Sequence, residues 1–163
     1  HNFYKTKSSK NSFKDVLFPY AGKEAYFYMF GKNGLIESQI LVPFKKIENF
    51  VDELNYNIKK IKPEITLFSI KKIKDTESYL RFSGEGFCFT FDFVNNKKNL
   101  NFLDTIDKIC IKYNLKPSII KDSRLGKNII KECYDGYEKF KNDLLNFDNK
   151  KTYRSELSKR IGL

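Results

Sequence analysis

Gly86-Phe87-Cys88-Phe89-Thr90-Phe91-Asp92-Phe93-Val94 is the stretch of sequence that decides the fold. Phenylalanine occupies every second position, and Cys88, Thr90 and Asp92 occupy the positions between. Successive side chains of a β-strand point to opposite faces of the sheet, so this alternation predicts a strand over about 86–94. The phenylalanine face is expected to be buried, and the face with Cys88, Thr90 and Asp92 is expected to stay open.

The segments on either side of this strand complete a β-α-β-β-α-β order. Strands are predicted at about 35–42, 65–73 and 117–121, amphipathic helices at about 44–61 and 100–113, and a long charged helix at about 126–145. This order is typical of the ferredoxin-like fold. We therefore expect an α+β domain whose antiparallel four-stranded sheet has both crossover helices on one face, with a further C-terminal helix.

Composition points to one globular domain with a basic surface. The chain has 163 residues, of which 31 are Lys or Arg and 20 are Asp or Glu, so its formal net charge is +11. Lysine supplies nearly all of the excess and is over-used together with Asn, Ile, Phe and Tyr, as an AT-rich genome would produce without any functional cause. The functional alternative is a surface that attracts phosphates of nucleic acid or of an anionic membrane.

Cysteine and histidine usage argues against metal or disulfide chemistry. Cys88, Cys110 and Cys133 are odd in number and widely spaced, which favours neither a disulfide framework nor a structural zinc site. Cys110 and Cys133 fall in predicted helices and are interpreted as packing residues. His1 is the only histidine, so no histidine base and no metal site are predicted.

The open face of the predicted sheet is the candidate site. The same alternation in the first strand places Glu37 and Gln39 opposite the apolar Ile36 and Ile40, on the side of Cys88 and Thr90. The sequence contains no evident nucleophile–base pair and no glycine-rich phosphate loop. These residues alone therefore predict a binding surface.

Five short motifs, taken in order, resemble the C-terminal cap domain of bacterial FAD-linked oxidoreductases of the vanillyl-alcohol-oxidase type. They are the turn Phe30-Gly31 to Gly34, Gln39-Ile40-Leu41-Val42-Pro43, Thr90-Phe91-Asp92-Phe93, Lys121-Asp122-Ser123-Arg124, and the tail at 153–163, which ends Ser155-Glu156-Leu157-Ser158-Lys159-Arg160-Ile161-Gly162-Leu163. The decaprenylphosphoryl-β-D-ribose oxidase group is the most similar. The resemblance implies that 18–163 form a domain that caps substrate and flavin, and that 1–17 are a linker or a segment that packs on a preceding FAD-binding part.

The resemblance also implies roles for individual residues. Lys121 matches a lysine beside flavin and substrate, where its ammonium group would stabilise negative charge on the reduced flavin. Ser118 is expected with Lys121 at the cofactor. Gln39 matches a glutamine that lines the substrate site. Asp122 and Arg124 are interpreted as residues that hold the loop.

The sequence departs from the family at the substrate face. Thr90 stands where mycobacterial-type members have a cysteine, and Cys88 stands where they have an asparagine. Glu37 replaces another polar residue. Glu37, Cys88 and Thr90 are therefore expected to contact substrate, while thiol chemistry at the family position is not expected.

What the resemblance implies for the whole protein is the oxidation of a sugar hydroxyl with FAD as cofactor. In the family the substrate is polyprenyl-phosphoryl ribose, oxidised at C2′, and a partner keto-reductase completes an epimerisation. A cytoplasmic location, with association at the surface of the inner membrane, would follow.

Two other classes remain open from the residues. A basic ferredoxin-like domain with aromatic residues on its third strand is similar to RNA-recognition modules, although those carry the aromatics on the open face. No nucleic-acid partner is expected for that reason. The fold also permits a ligand-sensing or oligomerisation domain, for which the aromatic segment 18–30 could supply an interface.

Overall fold

A computed structural model describes residues 12–13, 30 and 32–163. The predicted linker over 1–17 and the aromatic segment 18–30 lie outside the described residues, apart from positions 12, 13 and 30. The remainder is an α+β domain built on one four-stranded sheet.

The elements follow the predicted order. They are β1 (Leu35–Pro43), a 3₁₀ turn (Phe44–Lys46), α1 (Ile47–Ile61), β2 (Ile65–Lys74), β3 (Glu85–Val94), α2 (Lys97–Lys112), β4 (Lys116–Pro117), α3 (Lys127–Cys133), α4 (Tyr137–Phe147) and α5 (Glu156–Ile161). The spatial order of the strands is β2-β3-β1-β4, and every neighbouring pair is antiparallel. The predicted α+β, ferredoxin-like class is confirmed.

The phenylalanine face of β3 forms the centre of the core, as the alternation predicts. Phe89, Phe91 and Phe93 are all buried, and the ring of Phe50 from α1 meets Phe89 edge-on at 4.9 Å. Phe102 of α2 packs against Phe93 at 5.8 Å. Burial of such side chains contributes roughly 1.5–3 kcal/mol each, so this face is the main anchor of both crossover helices.

The fourth strand is shorter than predicted. Pairing with β1 covers only Lys116 and Pro117, because the chain leaves the sheet after Ser118 donates its N–H to the Gln39 carbonyl at 2.8 Å. The N–H of Asp122 then donates to the Ser118 carbonyl at 3.1 Å and closes a turn. The prediction of a strand over 117–121 is therefore wrong, and Lys121 lies in a turn that we call the Lys121 turn (118–124).

The predicted helix over 126–145 is two helices. α3 ends at Cys133 and α4 begins at Tyr137. Between them, the buried Tyr134 hydroxyl donates to the Pro117 carbonyl at 2.7 Å, and a Cβ on Gly136 would lie 2.7 Å from the Tyr79 Cα. These two long-range contacts break the helix, and helical periodicity alone does not contain them.

None of the helices in the described part of the chain is long and apolar enough to cross a membrane.

Candidate functional site

The open face of the sheet brings together polar side chains from β1 and β3. In the register of these strands, Glu37 is the partner of Asp92 and Gln39 is the partner of Thr90. Cys88 follows on the same side as Thr90, and its sulfur lies 3.8 Å from the Thr90 hydroxyl. The register therefore places the predicted substrate residues on one surface, as period-two alternation requires.

Lys121 reaches this face from the Lys121 turn. Its Nζ lies 3.1 Å from Glu37 Oε2, although the two residues are 84 positions apart. The Gln39 side-chain amide donates to the other Glu37 oxygen, Oε1, at 2.8 Å. One carboxylate thus joins Lys121 and Gln39. An ammonium group has three donors, so Lys121 keeps donors for a ligand beyond its bond to Glu37.

Asp92 is the least satisfied group of the open face. Its Oδ1 is buried and has no hydrogen-bond partner. Burial raises the pKa of Asp92, the neighbouring Glu37 charge raises it further, and the Lys121 charge opposes both. A carboxyl group with an unused oxygen beside another carboxylate is suited to receiving a hydroxyl or amide donor.

Cys88 and Thr90 are buried at the centre of the face. Burial raises the pKa of the Cys88 thiol, while the Thr90 hydroxyl and the Lys71 charge act in the opposite direction. A thiol with a raised pKa is a poor nucleophile. The geometry therefore assigns Cys88 to shaping the surface, in line with the expectation that thiol chemistry is absent.

Buried ion pairs hold the Lys121 turn against α2. Arg124 lies 2.7 Å from fully buried Asp122 and makes a two-pronged contact with Asp107 at 3.1 and 3.3 Å. Burial lowers the pKa of Arg124, but the carboxylates of Asp107 and Asp122 raise it by more. Burial raises the pKa of Asp107, against the effect of Arg124. Asp122 and Arg124 hold the loop, as the sequence interpretation has it.

The C-terminal motif holds the same turn from the other side. Ser155 and Ser158 form a reciprocal capping box at the start of α5, which aligns the helix. Arg160 of α5 donates to the Ile119 carbonyl at 2.9 Å. Ile161 packs in the core, and its carbonyl accepts from Tyr137 at 2.7 Å. The tail residues therefore act on Lys121 through the turn that carries it.

Ser118 is placed differently from the other predicted residues. It is buried, and its backbone joins β1 to the Lys121 turn. Within the described residues, no hydrogen bond links its hydroxyl to Lys121 or Glu37. The structure gives Ser118 a clear part in positioning Lys121 through its backbone.

Sequence reasoning missed two members of the site. Asp92 was placed on the open face but given no role, because its register with Glu37 depends on the pairing of two distant segments. Asp107 lies within a helix, where a charged residue is expected at the surface, yet it is buried. An acidic residue at an apolar helix position was the available signal.

The described residues contain no group of three or more His, Cys, Asp or Glu side chains arranged to hold a metal ion. The four phenylalanines of β3 face the helices, so the described open face presents carboxylates where RNA-binding sheets present aromatics. No protein-family model matches the chain, and no curated protein matches it.

Proposed function

We propose that this chain is the C-terminal, substrate- and flavin-capping domain of an FAD-dependent oxidoreductase that oxidises a sugar hydroxyl. The preferred substrate is a polyprenyl-phosphoryl ribose, with oxidation at C2′ and a separate keto-reductase acting on the product. The FAD would be held mainly by a preceding part of the protein. A cytoplasmic enzyme at the surface of the inner membrane is the corresponding location.

The observation that carries the proposal is the convergence of Lys121, Glu37 and Gln39. These residues belong to motifs that are separate in sequence, and hydrogen bonds of 3.1 and 2.8 Å bring their side chains together on the open face. Thr90 lies beside them through its pairing with Gln39. A surface with both donors and acceptors is what recognition of a polyhydroxylated ligand needs.

The open face is compatible with a flavin ring above it. Lys121 is about half exposed, with 49% of its side chain accessible, and its only described ion-pair partner is Glu37. When bound, FAD would supply the hydride acceptor. Lys121 would place positive charge where the reduced ring becomes negative, and Ser118 would hold the turn that carries Lys121.

The remaining residues have roles toward the sugar. Gln39 offers an amide donor and acceptor, and Glu37 orients both Gln39 and Lys121 through its two oxygens. Asp92 offers an unused carboxylate oxygen that can accept a hydroxyl proton or hydrogen bond. Cys88 and Thr90 form the floor of the surface between the charged groups.

The test is a visible absorbance spectrum of the full-length gene product, recorded without oxygen before and after addition of a polyprenyl-phosphoryl pentose. We expect flavin bands that bleach on addition. Lys121→Ala is expected to slow bleaching by at least about 100-fold, the usual size for removal of one electrostatic catalytic group. Lys131→Ala is the matched control, because Lys131 is 50% exposed and pairs with Glu138 at 2.8 Å.

Each outcome decides a different part of the proposal. Flavin bands that persist with this substrate would retain the flavoprotein class and reject the substrate. A folded, colourless protein would reject the flavoprotein class itself. Equal bleaching rates in Lys121→Ala and Lys131→Ala would remove Lys121 from the site.

A further inference from the structure

An apolar groove opens next to the Lys121 turn, on the side away from Glu37. It has a volume of about 210 Å³. Its apolar lining includes Leu80, Phe82, Ile120, Phe140, Leu157 and Ile161. The only polar residues in the lining are Ser155 and Ser158, which already satisfy each other in the capping box. The groove therefore offers a ligand hydrocarbon contacts and almost no hydrogen bonds.

A second pocket of about 230 Å³ continues this groove. Ile119, Ile120 and Leu157 line both pockets, so the two adjoin along one path. Ile120 stands between them with 75% of its surface exposed. A typical small-molecule site has about 300–1,000 Å³. Each pocket alone is smaller than that, and only an elongated ligand that spans both would fill a site of ordinary size.

Arg160 supplies a positive charge at the second pocket. It lines that pocket, and its described side-chain hydrogen bond is the one to the Ile119 carbonyl. Its Nε is buried without an acceptor, and none of the described carboxylates forms an ion pair with it. Glu156 lines the same pocket but pairs with Lys159 at 2.7 Å. The guanidinium group is thus available to an anion at one end of an apolar path.

We infer that this groove binds a single-chain lipid phosphate, with the hydrocarbon chain along Phe82, Phe140 and Ile120 and the phosphate at Arg160. The elongated apolar path selects one chain, and the guanidinium group selects an anionic head. The site is separate from the open face, and Ile119 and Ile120 of the Lys121 turn divide the two. The inference therefore does not depend on a flavin, although its ligand class matches the lipid part of the substrate proposed above.

The test is calorimetric titration of the full chain with farnesyl phosphate, alongside farnesol and inorganic phosphate. We expect one farnesyl phosphate per chain, weaker binding of farnesol and no measurable binding of inorganic phosphate. Ile120→Glu should weaken farnesyl phosphate binding by about tenfold or more, because it puts a charge in the apolar path. Ile70→Glu is the matched control, since Ile70 is also an exposed isoleucine, at 50%, and lies on β2 outside the groove.

Arg160→Gln separates the head from the chain. It should weaken farnesyl phosphate severalfold and leave farnesol unchanged, which a merely structural defect would not do. Absent binding, or equal binding by Ile120→Glu and Ile70→Glu, would overturn the inference. An equal effect of Arg160→Gln on farnesol and farnesyl phosphate would overturn the assignment of the head.

The two proposals can fail separately. A chain that binds farnesyl phosphate while the full-length protein is colourless keeps the groove and loses the flavoenzyme. A flavoprotein whose cap does not bind farnesyl phosphate loses the groove alone.

Discussion

The Lys121 ammonium group lies 3.1 Å from the Glu37 carboxylate and so joins the turn after β4 to the open face of β1. Glu37 is partly buried, whereas Lys121 is half exposed. Ion pairs of this kind contribute only about 0–1 kcal/mol to stability, because water competes for the charges. The pair therefore orients Lys121 and contributes little to holding the domain together.

Lys121→Ala should accordingly change the free energy of unfolding by less than about 1 kcal/mol. Urea denaturation of this variant and of Lys131→Ala should give nearly the same midpoint. A large loss of stability in Lys121→Ala alone would show that the Glu37 pair is structural, and any effect of the substitution on flavin reduction would then need a different explanation.

Asp92→Asn should stabilise the protein at neutral pH. Burial and the Glu37 charge raise the pKa of Asp92 in the folded state, so between the unfolded and folded pKa values the folded state binds more protons. Stability from this group is therefore complete below about pH 4 and is lost as the pH rises through the folded pKa. Removing the charge should restore roughly 0.2–1 kcal/mol at pH 7, the usual size of a cross-strand charge effect.

The measurement for Asp92 is urea denaturation at several values between pH 4 and pH 7. The advantage of Asp92→Asn over the parent should grow with pH, while Glu85→Gln, at the exposed start of β3, should show no such trend. A constant difference across the range would contradict the raised pKa.

Arg124→Ala should be strongly destabilising. The substitution leaves buried Asp122 and Asp107 without their cation, and breaking a buried ion pair costs about 3–5 kcal/mol. Arg81→Ala is the control, because the Arg81–Asp75 pair is exposed on both sides and should contribute less than about 1 kcal/mol. Similar unfolding midpoints for the two variants would show that the carboxylates are not charged in the folded state.

The three thiols should be unreactive in the folded protein. Burial raises the pKa of Cys133 to about 12 and that of Cys110 well above its usual value, and it also raises the pKa of Cys88. Mass spectrometry after brief iodoacetamide treatment at pH 8 should find all three unmodified, and modified once urea is added. Rapid native labelling of Cys88 would show that the open face exposes a thiolate.

Local pattern was sufficient for the sheet and for which side chains share its faces. The alternation of 86–94 predicts both the buried phenylalanines and the face that holds Cys88 and Thr90, because the period of a strand is a property of neighbouring residues. Glu37 could be placed on that face in the same way. Its contact with Lys121 could be expected only from the resemblance, since nothing local joins residues 84 positions apart.

The region after β4 shows where local pattern is insufficient. The apolar residues 119 and 120 are typical of a strand, yet the backbone bond from Asp122 to Ser118 and the buried Arg124 network turn the chain away from the sheet. Likewise, the end of α3 depends on Tyr134 meeting Pro117. Such contacts join distant segments, and periodicity within one segment does not report them.

Gly136→Ala tests the break between α3 and α4. A Cβ at this position would lie 2.7 Å from the Tyr79 Cα and 2.9 Å from its carbonyl oxygen, and backbone atoms cannot move aside as a flexible side chain can. We expect the substitution to destabilise the domain by about 1–3 kcal/mol, the usual cost of overpacking. Gly126→Ala is the matched control, because nothing lies within 4 Å of its Cβ, and it should change stability by about 1 kcal/mol or less. Equal midpoints in urea denaturation would mean that the loop of Tyr79 does not lie against Gly136 in solution, and the wall of the groove that Leu80 forms would then need to be redrawn.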